Sequence, residues 1–484
     1  MTTSTSTQTL RIGNLIAGRR LPGEGSERRN PADPTDLVAV APSSGGDEAD
    51  AAVSAAADAQ PAWAALPAPA RGAVLMDAAE ILRGRHETVA RDLVREEGKT
   101  LAEARGEVRR AIDVLRYFGS AGWHSDGRTL PSSQPDTLVH TRREPLGVVG
   151  VITPWNFPVA IPAWKTAPAL ISGNAVVLKP AEITPVSAHH LSEALLAAGL
   201  PPGVLNVVHG RGSVVGESLT ADPRVAAVSF TGSTSVGLRI ERALHERRGR
   251  VQVEMGGKNA LVVLDDADVA KAARIASAGG FALTGQACTA SSRVICTPAV
   301  HDALVDALIG EARRYRPGNG LAEGTLMGPV VSEQQLASDL DAIRTARAEG
   351  ATVAAGGESA QGLMLDPAIL TNVGRGDTVA RDEIFGPVLA VLPAADLDEA
   401  IDLVNDSRYG LAAGICTRDL AAAQHFAHHA RAGVIKVNRP TTGLDLNVPF
   451  GGVKDSSTNT YREQGATAVD FYTWSKSVYL GWDG

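Results

Sequence analysis

The chain is short of cysteine, of long uncharged apolar runs, of excess basic charge and of internal repeats, and each shortage removes a class of protein. Only Cys288, Cys296 and Cys416 occur in 484 residues. Three thiols cannot build a disulfide framework, and unpaired thiols point to the reducing cytoplasm. No apolar stretch reaches the length of a membrane span; the longest, near 144–164, is interrupted by prolines and Asn156. The opening MTTSTSTQTL has neither a basic residue nor an apolar core, so no secretory signal is expected and the tail reads as disordered. With 46 basic and 54 acidic residues the net charge is −8, which gives no electrostatic reason to expect nucleic acid. No solenoid period and no long linker interrupt the chain.

What is present fits a soluble enzyme-sized protein. A length of 484 residues exceeds one compact core and predicts two or three domains. Hydrophobic residues at 44% and charged residues at 21% are ordinary for a globular chain. GNLIAGRRL reads as a hairpin, 47–65 and 68–97 as two helices, and 98–123 as a stretch with apolar residues at helical spacing. The texture then changes. GVVGVITPW, NAVVLKPAE, LNVVHGRG and VAAVSFTGS are β-branched runs closed by turn residues, with helix-like stretches between them. A second alternating segment runs from about 259 to 440. Alternating strands and helices predict parallel sheets that bind ligands beyond the carboxyl ends of their strands. DTLVHTRREP at 136–145 alternates like a strand pair and DFYTWSKSVYL like a strand; both are candidate edges for pairing with another subunit.

Several stretches carry residues suited to chemistry, each with an ordinary alternative. VSFTGSTSVGLRI is a strand, a turn and a helix start, with Gly232, Gly237 and Ser233 where free amides would meet phosphate; HGRGSVVG offers Gly210, Gly212 and Gly216. Neither has the G-x-G-x-x-G spacing, and each alone reads more simply as a tight turn. Lys179 and Glu182 close a strand where a carboxylate could hold a ribose diol, or are plain surface residues. Asn156, inside the rigid PWNFP turn, is an oxyanion donor or a backbone device. Glu254 ends VQVE before two glycines, as a general base or a solvated strand end. In DEIFGPV, Glu383 lies in a loop and Phe385 reads as core. Cys296 and Cys416 sit on apolar strands as small hydrophobes. Cys288 lies in a small-residue turn without a neighbouring histidine, so its activation must come from a helix end or a nearby cation. His425 and His429 lack a third metal ligand, and HERRGR at 245–250 reads as a loop facing water. No metal site is predicted.

In this order, PWNFP, KPAE, FTGSTSVG, EMGGKN, GQAC, EIFGPV and PFGGVK resemble the aldehyde dehydrogenase superfamily over residues 12 to 480. The resemblance implies an α/β fold of two Rossmann-type parallel domains plus a small bridging, oligomerisation β-sheet. Residues 1–122 and 146–255 would bind nucleotide, 256–465 would be catalytic, and 123–145 with 466–484 would bridge subunits into a homodimer or homotetramer. Cys288 matches the family nucleophile, Glu254 the general base, Asn156 the oxyanion amide, Lys165 a lysine near the centre, and Glu463 a second carboxylate that relays protons. Lys179 and Glu182 match adenosine-ribose contacts, Ser233 a pyrophosphate contact, and Glu383 with Phe385 nicotinamide-side contacts. Ile152, Thr153, Pro154, Trp155, Gly212, Gly216, Phe230, Thr231, Gly232, Val236 and Gly256 complete the implied nucleotide site.

The implied chemistry is oxidation of an aldehyde to its acid. The thiolate adds to the carbonyl, the thiohemiacetal loses hydride to a nicotinamide, and water activated by Glu254 hydrolyses the thioester. The retained carboxylate at Glu254 separates this chain from relatives that pass the acyl group to coenzyme A. Glu182 favours NAD, since a 2′-phosphate would meet like charge, although some relatives with this residue tolerate NADP. IPAWKTAPAL, GQACTASSR and REQG-ATAVDFYT are similar to bacterial α-ketoglutaric semialdehyde (2,5-dioxopentanoate) dehydrogenases. Trp164 stands where succinic semialdehyde dehydrogenases carry an arginine, Ala287 where relatives often carry one, and 455–461 departs from a glycine-richer segment. Dehydrogenases of other semialdehydes or of aromatic or aliphatic aldehydes remain alternatives within the family. The rivals outside it are a cofactor-free cysteine hydrolase or thioesterase, and a silent binding protein on the same fold.

Overall fold

In the computed structural model, residues 8–124 and 127–482 are described; the tail expected to be disordered falls mainly on residues 1–7, outside them. The predicted hairpin forms between Gly13–Ile16 and Arg19–Pro22, turned by Ala17 and Gly18 at φ 51° and 76°. It pairs on to the first of two seven-stranded sheets. In spatial order that sheet runs Arg250–Glu254, Val225–Thr231, Val148–Ile152, Ala175–Lys179, Leu205–Val207, then the hairpin strands. The first five strands in this order are parallel, and only the hairpin is antiparallel. Val148–Ile152 and Ala175–Lys179 are buried along their whole length, as a sheet covered by helices on both faces requires. The chain leaves Val148–Ile152 towards one side and returns at Val225–Thr231 on the other. That reversal opens a crevice at their carboxyl ends.

The second sheet runs Thr352–Ala355, Ala368–Thr371, Val388–Pro393, Ser291–Cys296, Asn259–Val263, Ala412–Cys416, Val434–Val437, parallel except for the first. Cys296 and Cys416 both lie beside Val263, buried on the two strands that flank its own, as their apolar surroundings predicted. The link between the two sheets is short. Glu254 ends a strand of the first and Asn259 begins a strand of the second, so four residues separate them.

Three readings are corrected. The stretch 68–97 is two helices, Ala68–Gly84 and His86–Glu97, broken where Arg85 takes φ −106° and ψ 9° after the weak helix former Gly84. Residues 136–145 are not a strand pair. Thr137–Pro145 is one strand that pairs antiparallel with Thr473–Gly481 of the same chain over its full length, after a short helix Ala468–Tyr472. HERRGR is not simply a solvated loop: Arg247 donates to the carbonyls of Thr220 and Val225, and Arg250 to those of Asp470, Phe471 and Thr473. Long-range backbone partners of this kind leave no mark on local sequence.

Candidate active site

A cavity of about 1300 Å³ opens beyond the carboxyl edge of the first sheet. Its walls include Ile152, Thr153, Pro154, Trp155, Lys179, Glu182, Gly212, Gly216, Phe230, Thr231, Gly232, Ser233 and Val236. The helix Thr234–Glu246 starts at this wall. Ser233 makes no side-chain cap bond, so the first amides of the helix are left for a ligand. Lys179 is buried, and burial lowers its ammonium to about 8 against the opposing pull of Glu182. Gly212 lies beside the amine, with the position of a Cβ there 3.9 Å from Lys179 Nζ. The buried hydroxyls of Thr153 and Thr231 have no partner. The sequence missed the opposite wall: Gln334, Gln335 and Ser338 come from the helix Glu333–Glu349 of the second unit. Gly256, Glu383 and Phe385 do not line this cavity. Gly257 N–H donates to Glu383 at 3.0 Å, and a Cβ at Gly256 would sit 1.8 Å from the same carboxylate. Phe385, read as core, is half-buried at φ 65° and meets Trp155 edge to face with centroids 5.4 Å apart.

Cys288 lies on the loop that enters Ser291–Cys296, at the amino edge of the second sheet. The turn before it is left-handed at Leu283, Thr284 and Gly285. Asn259 pins the loop on the other side of the thiol: its amide donates to the carbonyls of Cys288 and Ala290 at 2.8 Å each, and its own oxygen accepts from Ala412 N–H at 2.9 Å. Ala287 is buried beside the thiol. Asn156 reaches the loop from the first sheet and donates to the Gln286 carbonyl at 2.9 Å. Its own carbonyl accepts from Lys99 at 2.7 Å, and Lys99 is paired with Glu107 at 2.6 Å in a buried cluster that no sequence motif announced. Glu107 also accepts from Val159 and Ala160 N–H at the start of the helix Ala160–Ile171. The thiol is half-buried as a residue but its sulfur is desolvated. Burial, then Glu383 and Glu254, push it up to about 12.

Glu254 is buried where its strand ends, and accepts from Ser457 Oγ at 2.9 Å and Gly452 N–H at 3.3 Å. Burial and then neighbouring Glu463 hold its carboxyl well above the usual range. Gly451, at φ 158°, leaves no room for a side chain: a Cβ would lie 2.8 Å from Glu254 Oε1. Glu463 accepts from Trp164 Nε1 at 2.9 Å and pairs with Lys165, which also donates to Ser229 Oγ at 2.8 Å. Thus Trp164 is tied to a carboxylate of the site, and Ser457, which bonds Glu254, lies in the segment 455–461. All five catalytic candidates, Cys288, Glu254, Asn156, Lys165 and Glu463, meet where the carboxyl edge of one sheet faces the amino edge of the other. Such a site can offer a thiol to an electrophile, an amide donor beside it, and a carboxyl group that can take a proton. Among the described residues no cluster of histidine, cysteine and carboxylate suits a metal, and His425 instead bonds Asp398 at 2.9 Å.

Residues 21–478 match the model of the aldehyde dehydrogenase family. The chain is 46% identical over 463 residues to an α-ketoglutarate semialdehyde dehydrogenase of Haloferax volcanii, covering 94% of this chain and 96% of that protein. It is 44% identical over 473 residues to a 2,5-dioxopentanoate dehydrogenase of Saccharolobus solfataricus, covering 96% and 99%. Among solved structures it superposes on an NAD⁺ complex of a Bacillus cereus aldehyde dehydrogenase with a TM-score of 0.94 at 36% identity, covering 98% and 97% of the two chains. The chain belongs to the aldehyde dehydrogenase family.

Proposed function

We propose that this member of the aldehyde dehydrogenase family oxidises α-ketoglutarate semialdehyde, or a short acidic aldehyde like it, to the carboxylic acid with NAD. The observation that carries the reading is the meeting of Asn156 with the Cys288 loop beside a buried Glu254, next to the large cavity. The names of the two relatives supply the substrate. The cavity residues fit a dinucleotide on two counts. Two buried threonine hydroxyls lack partners, and an uncapped helix start and Lys179 are available for anionic and hydroxyl groups. Glu182 in the same wall favours NAD over NADP.

On this reading the Cys288 thiol loses its proton to solvent water and the thiolate adds to the carbonyl carbon, making a thiohemiacetal whose oxyanion is met by the Asn156 amide. When bound, NAD supplies the hydride acceptor that turns this adduct into a thioester. Glu254 then takes a proton from water, and the hydroxide released to the acyl carbon frees the acid and the thiol. Glu463, paired with Lys165, passes that proton onward. Residues 1–122 and 146–255 hold the nucleotide and 256–465 the thiol. Residues 123–145 and 466–484 bridge subunits: among the described residues Thr473–Gly481 keeps one edge unpaired, and it carries exposed Tyr479 and Leu480. The assembly on this reading is a cytoplasmic homodimer or homotetramer.

An aldehyde panel with both nucleotides tests the reading. NADH formation from α-ketoglutarate semialdehyde should exceed that from an uncharged aldehyde of equal length by at least about tenfold in kcat/KM. Cys288→Ala should bind NAD and form no NADH. Equal values across the panel would remove the substrate assignment, and turnover by Cys288→Ala would remove the thiol.

A further inference from the structure

Three consecutive residues before the thiol, Leu283, Thr284 and Gly285, hold φ of 55°, 58° and 67°. Side-chain-bearing residues meet a steric penalty in this region, so two of them in a row persist only where the surroundings over-determine the turn. Four contacts do so here. Thr284 Oγ1 donates to the Gly328 carbonyl at 3.1 Å, and Gln286 Oε1 accepts from Val331 N–H at 2.9 Å. Gly285 lies against Gly386, where a Cβ would approach the carbonyl oxygen to 2.2 Å. These three come from the second half of the chain, as the turn does. The fourth crosses from the first: Glu103 Oε1 accepts from Leu283 N–H at 2.7 Å. A carboxylate acceptor makes this a charge-assisted bond.

Glu103 stands in the first turn of the helix Leu101–Ala121, whose start also governs Asn156, since Lys99 donates to the Asn156 carbonyl at 2.7 Å. Asn156 Nδ2 closes the ring on Gln286, three residues beyond Leu283. One rigid helix start therefore grips both the amide and the turn that aims the thiol. We propose that Glu103 is a positioning residue for the reaction, holding the left-handed turn so that Cys288 is presented to the carbonyl carbon beside Asn156. The inference rests on the reading of Cys288 as nucleophile. The ordinary alternative is a helix cap. Glu103 Oε2 does accept from Thr100 N–H and Oγ1 at 2.8 Å each, and Thr100 Oγ1 accepts in turn from Glu103 N–H. Capping uses only that oxygen; Oε1 reaches 180 residues along the chain.

The two roles separate by mutation of the intact enzyme. Thr100→Ala weakens the cap and leaves the bond to Leu283; Glu103→Ala removes both; Glu103→Gln keeps an acceptor for Leu283. Two rates are read besides melting temperature: alkylation of Cys288 by iodoacetamide, mapped by mass, and the first-turnover burst of NADH. Cys296 and Cys416 are buried, which leaves the alkylation signal to Cys288. Glu103→Ala should slow both rates on the order of 10- to 100-fold with NAD affinity held within about twofold. Thr100→Ala should melt earlier yet keep both rates within about twofold of the parent, and Glu103→Gln should recover most of the loss. Should Glu103→Ala fail to fold, Glu103→Asp, too short to span both contacts, takes its place with the same expectation. Equal slowing in Thr100→Ala, or unchanged rates in Glu103→Ala, overturns the proposal. A wild-type protein that makes no NADH would instead count against the functional reading, and the alkylation comparison would still stand.

Discussion

At its carboxyl edge the first sheet ends in Ile152, Lys179 and Thr231, and buried hydroxyls of Thr153 and Thr231 stand there without partners. At its amino edge the second sheet begins with Asn259 and Ser291, and here the polar groups are taken up by the protein itself. Asn259 uses both amide hydrogens and its oxygen, while Ser291 bonds Thr441, which in turn holds the Thr289 carbonyl at 2.7 Å. One edge keeps its donors free for something that comes and goes. The other commits them to hold one loop still. Two sheets of similar make thus serve opposite needs, and the difference lies in which end of the strands faces the cleft.

Glu254 is the residue that strains this division, since it ends a strand of the first sheet yet lies beside the thiol of the second. Glu254→Gln should give a single burst of NADH and then a steady rate lower by about 10²- to 10⁴-fold, read by stopped flow. The pH profile sharpens the point. Burial and Glu463 raise the Glu254 carboxyl well above the usual carboxylate range, so its basic form gains as pH rises. The hydrolytic step should therefore quicken as pH rises above that range, and Glu254→Gln should lose that rise. A flat wild-type profile would place the base elsewhere.

Asn259→Ala tests the rigid edge. It removes three hydrogen bonds at a buried site and leaves two carbonyls and an amide unpaired, for a loss of about 3 kcal/mol in urea unfolding. Alkylation of Cys288 should become slower and heterogeneous. Thr231→Val tests the open edge and should act in reverse. Removing an unsatisfied buried hydroxyl should leave the nucleotide-free protein as stable as before, or firmer by up to about 1 kcal/mol, while NAD affinity falls a few-fold. A destabilised Thr231→Val protein would mean that this edge, too, is built for itself.

The parts legible in the sequence are those whose signal is local. Runs such as VVGVI and AVVLK betray buried parallel strands, and the short motifs carry Cys288, Glu254 and Asn156 together with the residues before and after them. What escaped depends on groups far apart in the chain. Lys99 and Glu107 read as ordinary residues around a helix start, and only the fold brings them under Asn156. Gln334, Gln335 and Ser338 belong to a helix with no binding motif, yet form a wall of the cavity. Ser457 stands in a polar stretch with no motif of its own, and its bond to Glu254 comes from the isolated pairing of those two residues across the chain. The strand-pair reading of 136–145 failed for the same reason: alternation reveals a strand, not its partner, and Thr137–Pro145 pairs with Thr473–Gly481.

The four residues between Glu254 and Asn259 have a mechanical consequence. A link this short keeps Glu254 and the Asn259-held carbonyl of Cys288 at a nearly fixed separation, whatever enters the cavity beside them.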